Sequence, residues 1–331
     1  MKLRPFGSTN LRMSTMGLGL AALGRPGYIN LGHGEDLRRE YQPEAMEAHA
    51  HDVLDAAWEA GLRYFDVARS YGRAEEFLHS WLHKNQIAPA SVTVGSKWGY
   101  VYTADWQVKA GEHEVKNHSV ELLQKQWLET QSKLGAYCKL YQIHSTTFET
   151  GVLEDLDVLE ELGRMRDEGV TIGLTVTGPN QAQILETALD VAVDGLPLFD
   201  SVQATWNLLE RSAEPMLRRA HDLGMGVIIK EVLANGRLTS RNDAGDFAAQ
   251  KKVLDGEARR LDTTLDALAI AAAMAHPWTD VILSGAARVE HLHSNLKACD
   301  VDFDEEAERR LRDLTEEPES YWKTRGELPW N

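Results

Sequence analysis

The chain has 331 residues, 43% of them hydrophobic and 26% charged, the composition of an ordinary globular protein with enough length for a large core. Its 51 acidic residues outnumber 35 basic ones for a net charge of −16, which argues against general nucleic-acid binding because phosphate neutralisation needs Lys and Arg. Two isolated cysteines, Cys138 and Cys299, make neither a disulfide framework nor a zinc site; no apolar run approaches the ~18 residues that span a bilayer, and Met1–Gly7 carries no apolar signal core, so a reduced, cytoplasmic setting without a membrane partner is expected.

Along the chain, Leu3–Leu11 alternates turn and apolar residues and predicts a short hairpin. Eight strand-like segments follow, at Met16–Leu23, Tyr64–Ala68, Val92–Ser96, Leu140–His144, Ile172–Val176, Ser201–Trp206, Gly226–Val232 and Asp280–Leu283. The clearest are continuously apolar, as in Val227–Ile229, which suits a parallel sheet covered on its outer face. Between them, Ala50–Ala60, Val120–Leu134, Leu153–Met165, Gln181–Val193 and Ala213–Leu223 place apolar residues at helical spacing. Gly61, Gly135, Gly169 and Gly224 stand where helices should end. Ala267–His276 reads as a buried helix and Asp300–Glu308 as the start of a surface helix. Eight alternations over this length predict one α/β domain, residues 1–331: a (β/α)₈ TIM barrel with a short N-terminal β-hairpin, the open doubly wound sheet being the competitor. Two long segments, Arg25–Pro43 and Trp98–Asn117, follow strands and so belong on the catalytic face of such a barrel; a further polar gap runs Leu238–Lys252.

Several strand ends carry chemistry. Asp66 ends the second predicted strand, with Tyr71 five residues on; Lys97 closes the third and His144 the fourth. A Lys or an Asp on an apolar strand is costly to bury unless paired, and pairing Lys97 with Asp66 solves the problem for both. A tyrosine beside that fixed cation is expected to have a lowered pKa and to donate a proton to a carbonyl oxygen, with His144 orienting the same oxygen. No metal is expected, since Asp66 and His144 lack paired His ligands on adjoining strand ends.

At these residues the sequence resembles the aldo-keto reductase superfamily. The matching stretch is Gly61–Gly72, with Glu75 or Glu76 and Leu78 after it, then Ser96–Lys97 and Leu140–His144. Later matches are Ile172–Thr175, Val202–Asn207, Leu233–Leu238, and Leu283–Ala286 with Leu292 and Asn295. The likeness covers roughly residues 1–300; each motif alone is weak, while Asp66, Tyr71, Lys97 and His144 in order are specific.

The resemblance implies a (β/α)₈ barrel, an extended NAD(P)H, no metal, and reversible carbonyl–alcohol chemistry. It implies that Thr175 and Gln203 hold the nicotinamide carboxamide, although Val176 stands where many members have Asn. It puts Lys230 where many members stack a Tyr on the nicotinamide, with Glu231 as its partner. Leu233 and Gly236 would lie over the pyrophosphate; Gly285, Ala286, Ala287 and Arg288 would meet the adenosine ribose; Asn295 would touch adenine. NADP(H) is favoured, with NAD(H) the alternative, because Arg288 is placed to meet a 2′-phosphate with His291 assisting. Trp98 and Tyr100, with Tyr102 and Trp106, suit either a pocket for a ring or sugar or a pin for a long loop. The aromatic stretch Tyr321–Trp330 either folds back over the site or packs on a barrel helix.

The expected function is reduction of an aldehyde, ketone or sugar carbonyl by hydride from NAD(P)H, Tyr71 acting as general acid with Lys97, Asp66 and His144. The alternatives are an NAD(P)+-dependent aldose or polyol dehydrogenase using the same residues, and a cofactor-binding regulatory subunit with little turnover. The expected partner is a small carbonyl or sugar substrate, not nucleic acid or membrane.

Overall fold

The computed structural model describes residues 1–331. Eight parallel strands close into a barrel in sequence order: β1 (Met16–Gly19), β2 (Tyr64–Asp66), β3 (Thr93–Trp98), β4 (Cys138–Thr146), β5 (Thr171–Val176), β6 (Ser201–Thr205), β7 (Gly226–Lys230) and β8 (Val281–Ser284), with β8 pairing back on β1. All eight expected strands are present, shifted by a few residues at their ends. The outer ring holds α1 (Pro43–Glu59), α2 (Ala74–Lys84), α3 (Val120–Leu134), α4 (Leu156–Asp167), α5 (Gln181–Leu189), α6 (Glu214–Asp222), α7 (Ala248–Arg260), α8 (Leu265–Met274) and α9 (Val289–Leu296). The (β/α)₈ barrel therefore replaces the open-sheet competitor. No helix is long and apolar enough to cross a membrane.

Local chemistry sets these elements. Pro43 opens α1, where a missing N–H costs nothing, and the side chains of Ser119 and Asp155 accept the Leu122 and Val158 amides to cap α3 and α4. The four glycines expected after helices all have positive φ. Apart from Asp266, helix α8 is apolar throughout, because Leu265 and Ala267–Ala273 are all buried.

The barrel's lower end is filled from inside and plugged from outside. The Tyr64 ring sits where a Cβ on Gly95 would lie 2.4 Å from its hydroxyl, so only glycine fits there. The hairpin Leu3–Pro5/Arg12–Ser14 brings Phe6 under the barrel, against the bare backbone of Gly226. Phe6, Met13, Tyr64, Leu140, Ile228, Val281 and Leu283 form one small cluster separate from the main core between strands and helices. With the bottom closed, the opening is at the C-terminal strand ends.

Candidate active site

Strands β2, β3 and β4 deliver Asp66, Lys97 and His144 to the same mouth. The Lys97 ammonium donates to the Asp66 carboxylate and, at 3.0 Å, to the Val67 carbonyl; the lysine is 1% exposed. Asp66 Oδ2 also accepts from the Tyr64 hydroxyl at 3.0 Å and from Gln203 Nε2 at 2.9 Å. The carboxylate is thereby saturated, which is what a buried charge requires.

Tyr71 lies on the loop after β2, held by the turn from Ala68. Its ring is met by the Lys97 ammonium 4.9 Å from the centroid, by the His144 ring at 5.4 Å edge-on, and by the Arg25 guanidinium at 5.3 Å. His144 is aimed by an irregularity in β4: pairing with β5 slips between Ile143 and Thr146, and Ser145 takes a positive φ of 54°. Such a bulge re-aims a side chain where a regular strand would turn it into the wall.

One expectation about this group is reversed. Tyr71's pKa is pushed well above that of an ordinary tyrosine, first by burial and then by the nearby Asp66 carboxylate, against a smaller opposing effect of Arg25. The Lys97 ammonium is shared with Asp66, and burial together with that carboxylate outweighs it. Burial likewise drives the His144 pKa well below its ordinary value, helped by the cations Lys97, Arg25 and Lys230. At neutral pH the site therefore presents a protonated phenol and a neutral imidazole.

From Tyr71 a cleft runs along the barrel mouth. Its walls include Thr175, Gln203, Lys230, Leu233, Gly236, Gly285, His291 and Asn295 from the expected cofactor set. Ala287 and Arg288 are not on this wall: Ala287 is buried, and the Arg288 guanidinium is half-exposed and pairs with Glu290. Arg288 is the residue that opens α9, with an extended backbone there. Thr175 Oγ1 accepts the Ser145 amide at 2.7 Å. Lys230 donates to Thr205 Oγ1 at 2.9 Å, and burial lowers its pKa to about 8. Glu231 is not its ion-pair partner as expected; it binds Arg325 at 2.6 Å.

The aromatic loop divides in two. Trp98 is fully buried in the core against His118 and does not line the cleft; it packs the outside of β3. Trp106 pins the loop by donating to the Tyr41 carbonyl at 2.6 Å. Tyr100 does reach the site, its ring 5.0 Å from that of His144. The C-terminal stretch folds back over the mouth: Trp330 lines the cleft, and Asn331 exchanges backbone hydrogen bonds with Tyr28.

Sequence reasoning missed several wall residues. Arg25, half-sandwiched by Tyr28, Tyr71 and Trp330, pairs with Glu114 at 2.8 Å. Asp36 and Arg241 form a second pair farther along. The signal available for Arg25, Asp36 and Glu114 was their position in the two long segments after strands; Arg241 lies in the polar gap and Arg325 in the aromatic C-terminal stretch.

The donor set of the cleft fits an elongated dinucleotide. Hydroxyl and amide side chains (Thr175, Gln203, Ser294, Asn295) and the tight turn at Asn235–Gly236 all line it. Asn235 Oδ1 is buried without a partner, an acceptor awaiting a donor.

Comparison with known proteins agrees with this geometry. The model of the Aldo/keto reductase family matches residues 16–316. A norsolorinic acid reductase from Aspergillus flavus is 25% identical over 82% of this chain and 72% of its own, and an NADH-specific methylglyoxal reductase from Escherichia coli is 26% identical over 96% and 99%. Among solved structures, the holo form of an aldo-keto reductase from Bacillus halodurans superposes with a TM-score of 0.73 at 20% identity, over 96% of this chain and 97% of that one.

Proposed function

The chain belongs to the aldo/keto reductase family of oxidoreductases, and on that premise we propose that it reduces the carbonyl of a small aldehyde, ketone or sugar, with Tyr71 giving the proton to the carbonyl oxygen. The observation that carries this reading is the grouping of Tyr71, His144 and the buried Lys97–Asp66 pair at the head of one cleft.

The nicotinamide cofactor supplies hydride. Thr175 and Gln203 are the residues proposed to hold its carboxamide, the Leu233–Gly236 turn its pyrophosphate, and Asn295 its adenine. Gln203 also donates to Asp66, which ties the proposed carboxamide site to the buried Lys97–Asp66 pair.

Tyr71's raised pKa suits this direction. The phenol stays protonated at neutral pH, while the oxygen gaining charge during hydride arrival becomes a far stronger base, so the proton moves downhill. Lys97 places a positive charge beside the ring that balances the phenolate as it forms, and neutral His144 offers one N–H to the same oxygen. The reverse oxidation needs Tyr71 as a base, which burial disfavours, so dehydrogenase activity is the second reading and belongs to alkaline pH. A regulatory subunit has no use for a buried Lys97–Asp66 pair under a tyrosine.

NADP(H), expected from Arg288, loses that residue's support because its guanidinium engages Glu290 off the cleft wall. The test is titration with both reduced dinucleotides, then a carbonyl panel followed at the nicotinamide absorbance. Oxidation of cofactor by wild type, lost in Tyr71→Phe with binding retained, supports the reading; binding without turnover on any carbonyl or alcohol overturns it.

A further inference from the structure

The long segment after β3 does more than wall the cleft. It runs out through Tyr100–Tyr102 and returns through Glu114–Lys116 in antiparallel pairing. At its end it lays Lys116 and His118 against the last residues of β4. Neither side chain lines the cleft.

The His144 ring is weakly held by its own hydrogen bonding. Its one such contact is Nδ1 with the Ser70 hydroxyl at 3.4 Å, near the limit for a hydrogen bond. Its direction therefore follows from the main chain beneath it, where Ser145 takes its positive φ. A non-glycine residue stays in that region only where its surroundings fix it. Three contacts do so here. Thr175 Oγ1 accepts the Ser145 amide at 2.7 Å, the Lys116 ammonium donates to the Ser145 carbonyl at 2.8 Å, and His118 Nε2 meets the His144 carbonyl at 3.0 Å.

His118 is fitted to this contact. A carbonyl oxygen only accepts, so Nε2 carries the hydrogen, and Nδ1, 3.0 Å from the Thr150 hydroxyl, is left to accept. Burial keeps the ring neutral, with a pKa lowered to about 4, so its single N–H goes to His144. The backbone beside it leaves room for nothing else. Gly99 has a φ of 111°, and a Cβ there would lie 2.3 Å from His118 Cδ2 and 2.6 Å from Nε2. Gln126 of α3 fixes that stretch, accepting the Gly99 amide at 3.0 Å and donating to the Tyr100 carbonyl at 2.8 Å.

We propose that His118 is a positioning residue: by holding the His144 carbonyl it fixes the bulge that points the His144 imidazole at the substrate's carbonyl oxygen, and Lys116 holds the next carbonyl to the same end. This rests on the reading that His144 hydrogen-bonds that oxygen beside Tyr71. His118 stands off the cleft wall, so its effect on the reaction runs through His144.

The experiment is a double-mutant cycle in the full chain, read as steady-state carbonyl reduction at saturating cofactor. His118→Phe keeps a ring and removes the donor. Its kcat should fall at least roughly tenfold, since a reacting geometry misplaced by about 1 Å costs up to about 10²-fold. In a His144→Ala protein the same substitution should change the residual turnover less than about twofold. His118→Gln, whose amide N–H stands in for Nε2, should recover most of kcat. Lys116→Met should repeat the His118→Phe pattern, and it carries the test should that variant fold badly. An equal loss in both backgrounds is the mark of a general structural role and overturns the inference, as does an unchanged kcat in folded His118→Phe protein. Absence of turnover by wild type on any carbonyl overturns the reading of the site instead. The imidazole ¹⁵N resonances of His144 then decide the positioning: they should shift in His118→Phe and return in His118→Gln, and unchanged resonances overturn it.

Discussion

Trp330 lies flat on His113, ring centroids 3.7 Å apart and planes 7° from parallel, so the last residues of the chain are clamped to the loop that follows β3. Arg25 completes the contact from below, its guanidinium 5.0 Å from the Trp330 ring. Three segments far apart in sequence thereby make one wall over Tyr71. Trp330→Ala should loosen that wall and raise KM for carbonyl substrate several-fold while changing kcat less than KM, because the residue shapes the cleft and does not touch the proton. Steady-state kinetics with a fixed saturating cofactor read the split; an equal fall in kcat with unchanged KM would refute the role.

Tyr71→Phe removes the transferable proton and little else. Turnover should fall by about 10²–10⁴-fold, with the dissociation constant for reduced cofactor changed less than about twofold. Rapid binding and single-turnover measurements separate the two effects.

Asp66 and Lys97 depend on each other energetically. Lys97→Met leaves a buried carboxylate without its cation and should cost about 3–5 kcal/mol of stability. Adding Asp66→Asn should restore most of the loss without restoring turnover. Denaturant unfolding of the single and double variants decides this; equal stability of the two would show that the charges do not need each other.

The direction of catalysis should depend on pH through Tyr71. With its pKa raised by burial and Asp66, carbonyl reduction should not lose rate as pH rises through the neutral range, whereas alcohol oxidation should climb with pH as the phenolate becomes accessible. A reduction rate already falling between pH 7 and 8 would mean that the phenol is not held protonated.

Acid should destabilise the fold through two buried histidines. Burial lowers the pKa of both His33 and His118 to about 4, against an ordinary value near 6.5. The unfolded chain therefore binds their protons first, so stability is full above pH 6.5 and is lost as pH falls towards 4, by roughly 3 kcal/mol for each residue at most. His33 has no hydrogen-bond partner on either ring nitrogen, so His33→Phe should keep the melting temperature at pH 7.5 and shrink its drop at pH 5. An undiminished drop would assign the acid sensitivity elsewhere.

The barrel itself was legible in the sequence, and so were the four residues at its head. Strand–helix alternation has a period that survives in one dimension, and Asp66, Lys97 and His144 stand at strand ends, where a parallel barrel sends every chain to the same mouth. Pairing of Lys97 with Asp66 followed from the cost of burying either alone. What the sequence misjudged were side chains whose direction depends on a neighbour distant in the chain. Arg288 was assigned to the cofactor by the family resemblance, but it pairs with Glu290; Trp98 follows Lys97 directly and so faces the opposite side of the strand, into the core. Tyr71's pKa was misread because Lys97 was weighed and the burial of the phenol and the Asp66 charge beside it were not. Arg25 with Trp330, and Asp36 with Arg241, are joined across 305 and 205 residues. No local pattern encodes such pairs, because each residue alone resembles an ordinary surface charge or aromatic. Periodicity and the cost of buried charge determined the barrel and the pairing of Lys97 with Asp66 at its mouth; only the folding of three distant segments over that mouth decided the walls of the cleft.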